Sequence, residues 1–224
     1  MDKLIAKYDF KSDLIFSSLS KSEQKMLEPI TEHIIFDKGK MLFYQDGIPT
    51  GVFLIIKGRA KIYKTGLGNK QQIFYIYKAG DLLGYHALLC DERYKDSCEA
   101  IEGCETLFIS ADKFESLLEK IPSLKTALIK NMSHEFGVMV NTISVIAQKS
   151  LRVRFALHLL LLNDRFGNNG INLSREDFAN VIGVTRESLG RIIKEFKEEG
   201  LIVVNKRLIR LKNSKVIFEI SKKQ

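Results

Sequence analysis

Between about Ile34 and Ile109, apolar residues come in short runs or alternate with polar ones: HIIF, MLFY, VFLIIK, AKIYK, QIFYIYK and TLFIS. Glycine or aspartate separates most of these runs, at Gly39, Gly47, Gly58, Gly66, Gly68, Gly80 and Gly103. Short segments punctuated by turn-forming residues predict an antiparallel roll or sandwich. The stretch Gly66 to Asn69 reads as a hairpin turn. It is not a phosphate-binding loop, because no G-x-x-x-x-G-K-S/T sequence occurs. Ahead of the roll, residues 12–29 read as short helices ended by Pro29.

From Ser110 the pattern becomes helical. SADKFESLLEK puts Phe114, Leu117 and Leu118 on one face, with Ser110 at the capping position. Pro122 then opens a longer helix. Within it Ile129, Met132, Phe136, Met139, Ile143 and Ile146 recur at steps of 3 or 4. That is a heptad seam of about two and a half repeats. It serves either a helix packed on its own domain or two copies pairing across a coiled coil, and the 3.5-residue period favours pairing. A further helix, about Leu151 to Phe166, ends in the turn GNNG.

The predicted fold class is therefore α+β. It combines an N-terminal antiparallel β-roll (jelly-roll-like, residues 1–121), a long dimerisation helix (122–149) and a C-terminal winged helix-turn-helix (150–224).

Composition adds little until charge is mapped along the chain. Hydrophobic residues make up 45% and charged residues 28%, as in ordinary globular proteins. No apolar run approaches the ~18 residues of a membrane span. The N-terminus lacks the apolar core of a secretion signal. Three cysteines, Cys90, Cys98 and Cys104, do not form a disulfide framework. These features read as a cytoplasmic protein with no membrane partner. The net charge is +8, and residues from Ser150 onward hold 15 Lys/Arg against 8 Asp/Glu. Nearly all the excess positive charge thus lies in the last third, the footprint of a nucleic-acid binder.

That last third contains INLSREDFANVIGVTRESLGRIIKEFKEEGLI. Ser174 caps a first helix, with Asp177 where a capping box has Glu. Phe178, Ala179 and Ile182 form its buried side, and Gly183 breaks it. Thr185 caps a second helix, to about Glu199, whose apolar face is Leu189, Ile192, Ile193 and Phe196. Two short helices joined by a Gly-containing turn form a helix-turn-helix, whose second helix enters the major groove by its N-terminal residues. Arg186, Glu187, Gly190 and Arg191 lie opposite the apolar stripe and are the base-reading candidates. Arg can donate two hydrogen bonds to guanine and a carboxylate can accept from cytosine. Gly190 lets the backbone come close. Ser174, Thr185 and Ser188 suit phosphate contacts. LIVVNKRLIRL reads as a hairpin turning at Asn205–Lys206, a wing that brings Lys206, Arg207 and Arg210 to phosphate.

GVTRESLGRIIKEFKEEGLI resembles the helix-turn-helix signature of the Crp/Fnr transcription regulators. FDKGKMLFYQDGIPTGVFLIIKGRAKIYK and KAGDLLG resemble the cyclic-nucleotide-binding-type β-roll of the same family. The resemblance spans roughly residues 12–212. It implies a homodimer paired through the long helix on near-palindromic double-stranded DNA, and places the family's base-reading contacts on Arg186, Glu187, Gly190 and Arg191. RNA polymerase is a candidate further partner of such a regulator.

The resemblance also sharpens what the roll senses. Cyclic-AMP-binding members carry a Gly-Glu pair after the equivalent of Gly80-Asp81-Leu82, and further on an Arg-Ser or Arg-Thr pair for the phosphate. Here those places read Gly84-Tyr85 and about Tyr94-Lys95-Asp96-Ser97, and Arg93 would serve only after a register shift. An Arg fork and a carboxylate are not replaced by Tyr. The effector is thus read as something other than cyclic AMP, and Lys95 leaves another anionic ligand open. Three cysteines, none before Cys90, do not supply an iron–sulfur cluster. His86 lies near the place of a haem-ligating His in carbon-monoxide-sensing members. With no second ligand evident, it reads as a pocket or packing residue rather than a haem ligand. Tyr85, His86, Tyr94 and Lys95 are expected between the roll and the long helix. Two rivals remain: a ligand-binding regulatory module that acts without specific DNA binding, and an enzyme. No catalytic carboxylate pair, nucleophile motif or metal-spaced cluster supports the enzyme.

Overall fold

The computed structural model describes residues 1–223. In chain order its elements begin with α1 (Asp2–Ile5), α2 (Asp13–Ser17), α3 (Lys21–Lys25), β1 (Glu32–Phe36), β2 (Met41–Phe43), β3 (Gly51–Lys57), β4 (Arg59–Thr65) and β5 (Gln71–Lys78). Next come β6 (Leu82–Leu83), α4 (Tyr85–Leu89), β7 (Ser97–Ala100), β8 (Cys104–Ser110), α5 (Ala111–Lys120), α6 (Pro122–Gln148) and α7 (Leu151–Phe166). The chain closes with β9 (Ile171–Asn172), α8 (Arg175–Ile182), α9 (Arg186–Glu198), β10 (Ile202–Asn205), β11 (Leu208–Leu211) and α10 (Ser214–Ser221). The fold is the mixed one expected, with antiparallel sheets first and a helix-turn-helix last. Among the described residues no helix is long and apolar enough to cross a membrane.

Two compact units divide these elements. One comprises Phe10–Thr65 and Phe74–Phe136; the other comprises Met1–Asp9, Gly66–Ile73 and the residues from 137 onward. The division differs from the expected three segments. The first nine residues join the C-terminal unit because the Arg165 guanidinium pairs with Asp9. The tip between β4 and β5 joins it because Gln72 Nε2 donates to the carbonyl of Asn180 at 2.8 Å.

In the roll unit, strands order β1-β8-β3-β6 in one sheet and β2-β7-β4-β5 in the other. Successive side chains on a strand face opposite ways, so β3 serves two cores. Phe53 meets Phe36, Phe43 and Phe108 at ring separations of 6.1, 6.4 and 4.9 Å. Val52 belongs instead to a cluster with Ile15 and Phe16 of α2, Ile109 of β8, Phe114 and Leu117 of α5, and Leu124 and Leu128 of α6. Asp81 is fully buried in the turn before β6. It accepts hydrogen bonds from Ser12 Oγ and from the Lys78 N–H, which accounts for its place in the GDLL stretch. Gly66–Lys70 does close a hairpin, with the Gly66 N–H donating to the Lys70 carbonyl at 2.9 Å.

Three details depart from expectation. Pro29 lies within a 3₁₀ turn, Glu28–Ile30, after α3 has already ended at Lys25. Its fixed φ suits that turn. Ser110 occupies the capping position of α5 with extended backbone, but its side chain makes no capping bond. The wing turns one residue later than expected, at Lys206–Arg207, because Asn205 still pairs with Leu208.

In the C-terminal unit, Phe155 of α7, Phe178 of α8 and Phe196 of α9 are all fully buried. The ring of Phe155 stacks 5.7 Å from Phe178 and stands edge-on to Phe196 at 4.8 Å. Each buried ring contributes about 1.5–3 kcal/mol. The Arg152 guanidinium clamps α9 through Glu199, at 2.6 and 2.7 Å, and through Glu195.

Candidate nucleic-acid interface and sensor cavity

α8 and α9 are built by their caps. Ser174 Oγ accepts from the Asp177 N–H at 2.9 Å and donates to the Asp177 carboxylate at 2.6 Å. Thr185 Oγ1 accepts from the Ser188 N–H at 3.2 Å and donates towards Ser188 Oγ at 3.1 Å. Between the two helices Gly183 takes φ +73 in the left-handed region, where a side chain is strained. A Cβ there would also come within 3.0 Å of Gln72 Oε1.

α9 presents two unlike faces. Leu189, Ile192, Ile193 and Phe196 are buried, whereas Arg186, Glu187, Gly190, Arg191 and Lys194 are exposed. A Cβ at Gly190 would meet nothing within 4 Å, so this side of the helix is open there. Ser174 and Ser188 are half-buried, and Thr185 is exposed. The hydroxyl hydrogens of Ser174 and Thr185 are already committed to the caps. The wing follows as β10-β11-β9, with β9 pairing Ile171 to Ile209. Lys206 and Arg207 lie at its tip, both exposed, and Lys206 takes φ +52. Arg175, which no sequence pattern singles out, donates through Nη2 to the Lys206 carbonyl at 3.1 Å. It thereby supports the tip from α8.

This geometry agrees with what the chain is similar to. Residues 33–121 match the cyclic nucleotide-binding domain family, and residues 153–216 match the Crp-like helix-turn-helix domain family. The chain belongs to the Crp/Fnr family of transcription regulators. Like other Crp/Fnr regulators it is a DNA-binding transcription regulator with a cyclic-nucleotide-binding-like domain. The cyclic AMP receptor protein of Thermus thermophilus is 22% identical over 214 residues, covering 94% of this chain and 98% of that one. The fumarate and nitrate reduction regulatory protein of Vibrio cholerae is 26% identical over 212 residues, covering 91% of this chain and 84% of its own length. The FixK2 structure from Bradyrhizobium japonicum superposes with a TM-score of 0.79 at 18% identity, covering 87% of this chain and 99% of that one, a likeness of fold.

The four residues expected to line one sensor pocket in this Crp/Fnr chain divide into two groups. Tyr85 is fully buried and donates to Glu135 Oε1 of α6 at 2.6 Å. His86 Nε2 lies 2.5 Å from Glu135 Oε2, and Asn131 Nδ2 donates to Glu135 Oε1 at 3.0 Å. Glu135 is thus a buried carboxylate satisfied from α4 and from its own helix. Burial and this neighbouring carboxylate push the Tyr85 phenol well above its usual range, so it stays a donor. To ligate a metal through Nε2, His86 would have to release Glu135.

The second group lines a cavity of about 90 Å³, shared by His86, Arg93, Tyr94, Lys95 and Asp96. Tyr94 is buried and stacks on Phe43 at 4.0 Å. Lys95 is exposed and pairs with Glu92 at 2.9 Å. Tyr94 and Lys95, expected between the roll and the long helix, line a cavity with no α6 residue among the described ones. His86 alone touches both groups. Arg93 donates to the Asp46 carbonyl at 2.8 Å, and the Ser97 hydroxyl accepts from the Gln45 N–H at 2.9 Å. The cavity is well below the ~300 Å³ of ordinary ligand sites.

Along α6 the expected seam is largely open. Ile129 (58%), Phe136 (73%) and Ile143 (61%) are exposed, Ile146 is just exposed, and Met132 and Met139 are half-buried. Val140, absent from the expected seam, joins it at 50%. Leu124, Leu128, Val138 and Val145 are the buried apolar positions of α6, with Asn131 and Glu135 buried beside them.

Proposed function

We propose that the protein is a homodimeric regulator that reads a near-palindromic DNA site and answers to an effector other than cyclic AMP. The exposed set Arg186, Glu187, Gly190 and Arg191 on the first two turns of α9, backed by a fully packed opposite face, carries the reading. These residues meet base edges, with Thr185 and Ser188 at the helix N-terminus and Lys206 and Arg207 on the wing meeting phosphate. Ser174 reaches phosphate only by releasing Asp177. Pairing is supported by the apolar stripe Ile129, Phe136, Val140, Ile143 and Ile146, because soluble chains rarely leave so continuous a stripe to water. Two recognition helices would then address half-sites about 34 Å apart. The effector enters at the His86, Arg93 and Lys95 cavity, whose ~90 Å³ takes a small ligand or one end of a larger one, and RNA polymerase is the partner the DNA-bound dimer would recruit or exclude.

The test pairs sedimentation with footprinting on DNA selected from random sequence. A dimer protecting two half-sites one turn apart is expected, and Phe136→Asp should give a monomer protecting neither at the same concentration. A monomeric wild type, or a single protected half-site, overturns the proposal.

A further inference from the structure

A second cavity, of about 480 Å³, lies on the other face of the β1-β8-β3-β6 sheet and shares no lining residue with the His86 cavity. Phe16 of α2, Leu27, Leu54 of β3, and Leu107 and Ile109 of β8 make it apolar. Its size and lining are those of a small-molecule site.

The polar atoms around it are of one kind. Ser17 Oγ spends its hydrogen on the Asp13 carbonyl at 2.6 Å, and Thr31 Oγ1 spends its own on the Glu28 carbonyl at 3.0 Å. Gln24 Nε2 donates to the carbonyls of Leu19 and Phe16 at 3.0 and 3.3 Å. With these donors consumed, acceptors remain: the carboxylates of Asp13 and Glu28 and the amide oxygen of Gln24. Among the described residues no Lys, Arg or His lines the cavity. An apolar floor under a rim of two carboxylates selects for an apolar body bearing a cationic donor, and against an anion of the same shape.

We propose that this cavity binds a small amphipathic amine, an ammonium group held by Asp13 and Glu28 on an apolar body seated against Leu54 and Leu107. The site is independent of the effector cavity and gives the roll a second chemical input.

The chain has no tryptophan, so an indole probe fluoresces without an indole background. Tryptamine, tryptophol and indolepropionate share one body and differ in the charge of the tail. At neutral pH tryptamine should bind saturably, tryptophol about tenfold more weakly, and indolepropionate not at all. The double variant Asp13→Asn with Glu28→Gln should bring tryptamine to the level of tryptophol. Leu107→Phe should block both tryptamine and tryptophol while leaving DNA binding intact. If Leu107→Phe fails to fold, the rim variant still decides. Equal binding of the three probes, no saturable binding of tryptamine, or a rim variant that binds it unchanged would each overturn the proposal.

Discussion

At the scale of single residues, the two cavities and the reading face rest on how a few charges are held. Asp96 lines the sensor cavity, and burial pushes its carboxyl up to about 6, against the opposing pull of His86 and Lys64. A carboxyl raised on folding favours the protonated form. Its contribution is therefore fully favourable below the unfolded value near 4, and is lost as pH rises through 6. Asp96→Asn should stabilise the protein by roughly 1–2 kcal/mol at pH 7.5, and the gain should vanish by pH 4. Denaturant midpoints at the two pH values check this, and a gain that persists in acid would refute it. On the proposed reading face, Arg186 and Arg191 are exposed. Arg186→Ala should cost ~1–3 kcal/mol on the preferred site and relax the base preference there, without changing thermal stability. Competition binding against single-base variants of the site measures it. Unchanged preference would move the reading register along α9.

At the scale of elements, the wing gives the sharper test, because its tip combines strain with charge. Lys206 holds φ +52, a conformation that costs a non-glycine residue about 1 kcal/mol. Lys206→Gly should relieve that cost yet weaken binding to all DNA sequences alike, lowering the slope of log affinity against log salt by about 1. Stability up and affinity down in one variant separates a phosphate contact from a structural turn. An unchanged salt slope would remove Lys206 from the interface. The wing also shows where the sequence was legible. Strands β1 to β5 and β8 announce themselves by apolar runs, and the caps at Ser174 and Thr185 mark α8 and α9 within a residue. β6 is two residues long and β7 reads Ser97, Cys98, Glu99, Ala100, too short and too small in side chain to show a period. The turn at Lys206–Arg207 was displaced by one residue because a positive φ at Lys has no sequence signature. The partnering of Glu135 with Tyr85 and His86 across 50 and 49 residues is a tertiary fact that local pattern does not contain.

At the scale of the whole molecule, each unit has its own core, one gathered on Phe53 and the Val52 cluster, the other on Phe155, Phe178 and Phe196. Each also holds a perturbed group that titrates in weak acid. His158 lies in α7 with its Nε2 buried and unpartnered among the described residues. Burial, with Arg154 beside it, pushes the imidazole down to about 4. The group charges more readily when unfolded, so its contribution is present above about 6.5 and is lost as pH falls through 4. Asp96 works in the opposite sense over nearly the same range. Calorimetry should therefore resolve two transitions, with Asp96→Asn moving one at pH 7.5 and His158→Leu moving the other in acid. Between pH 7.5 and pH 4.5 the wild type should lose roughly 2 kcal/mol more than His158→Leu does. The Asp96→Asn gain should shrink over the same interval. A single transition moved by both substitutions would mean that the units unfold together, and equal pH slopes for wild type and His158→Leu would mean that His158 titrates normally in the folded chain.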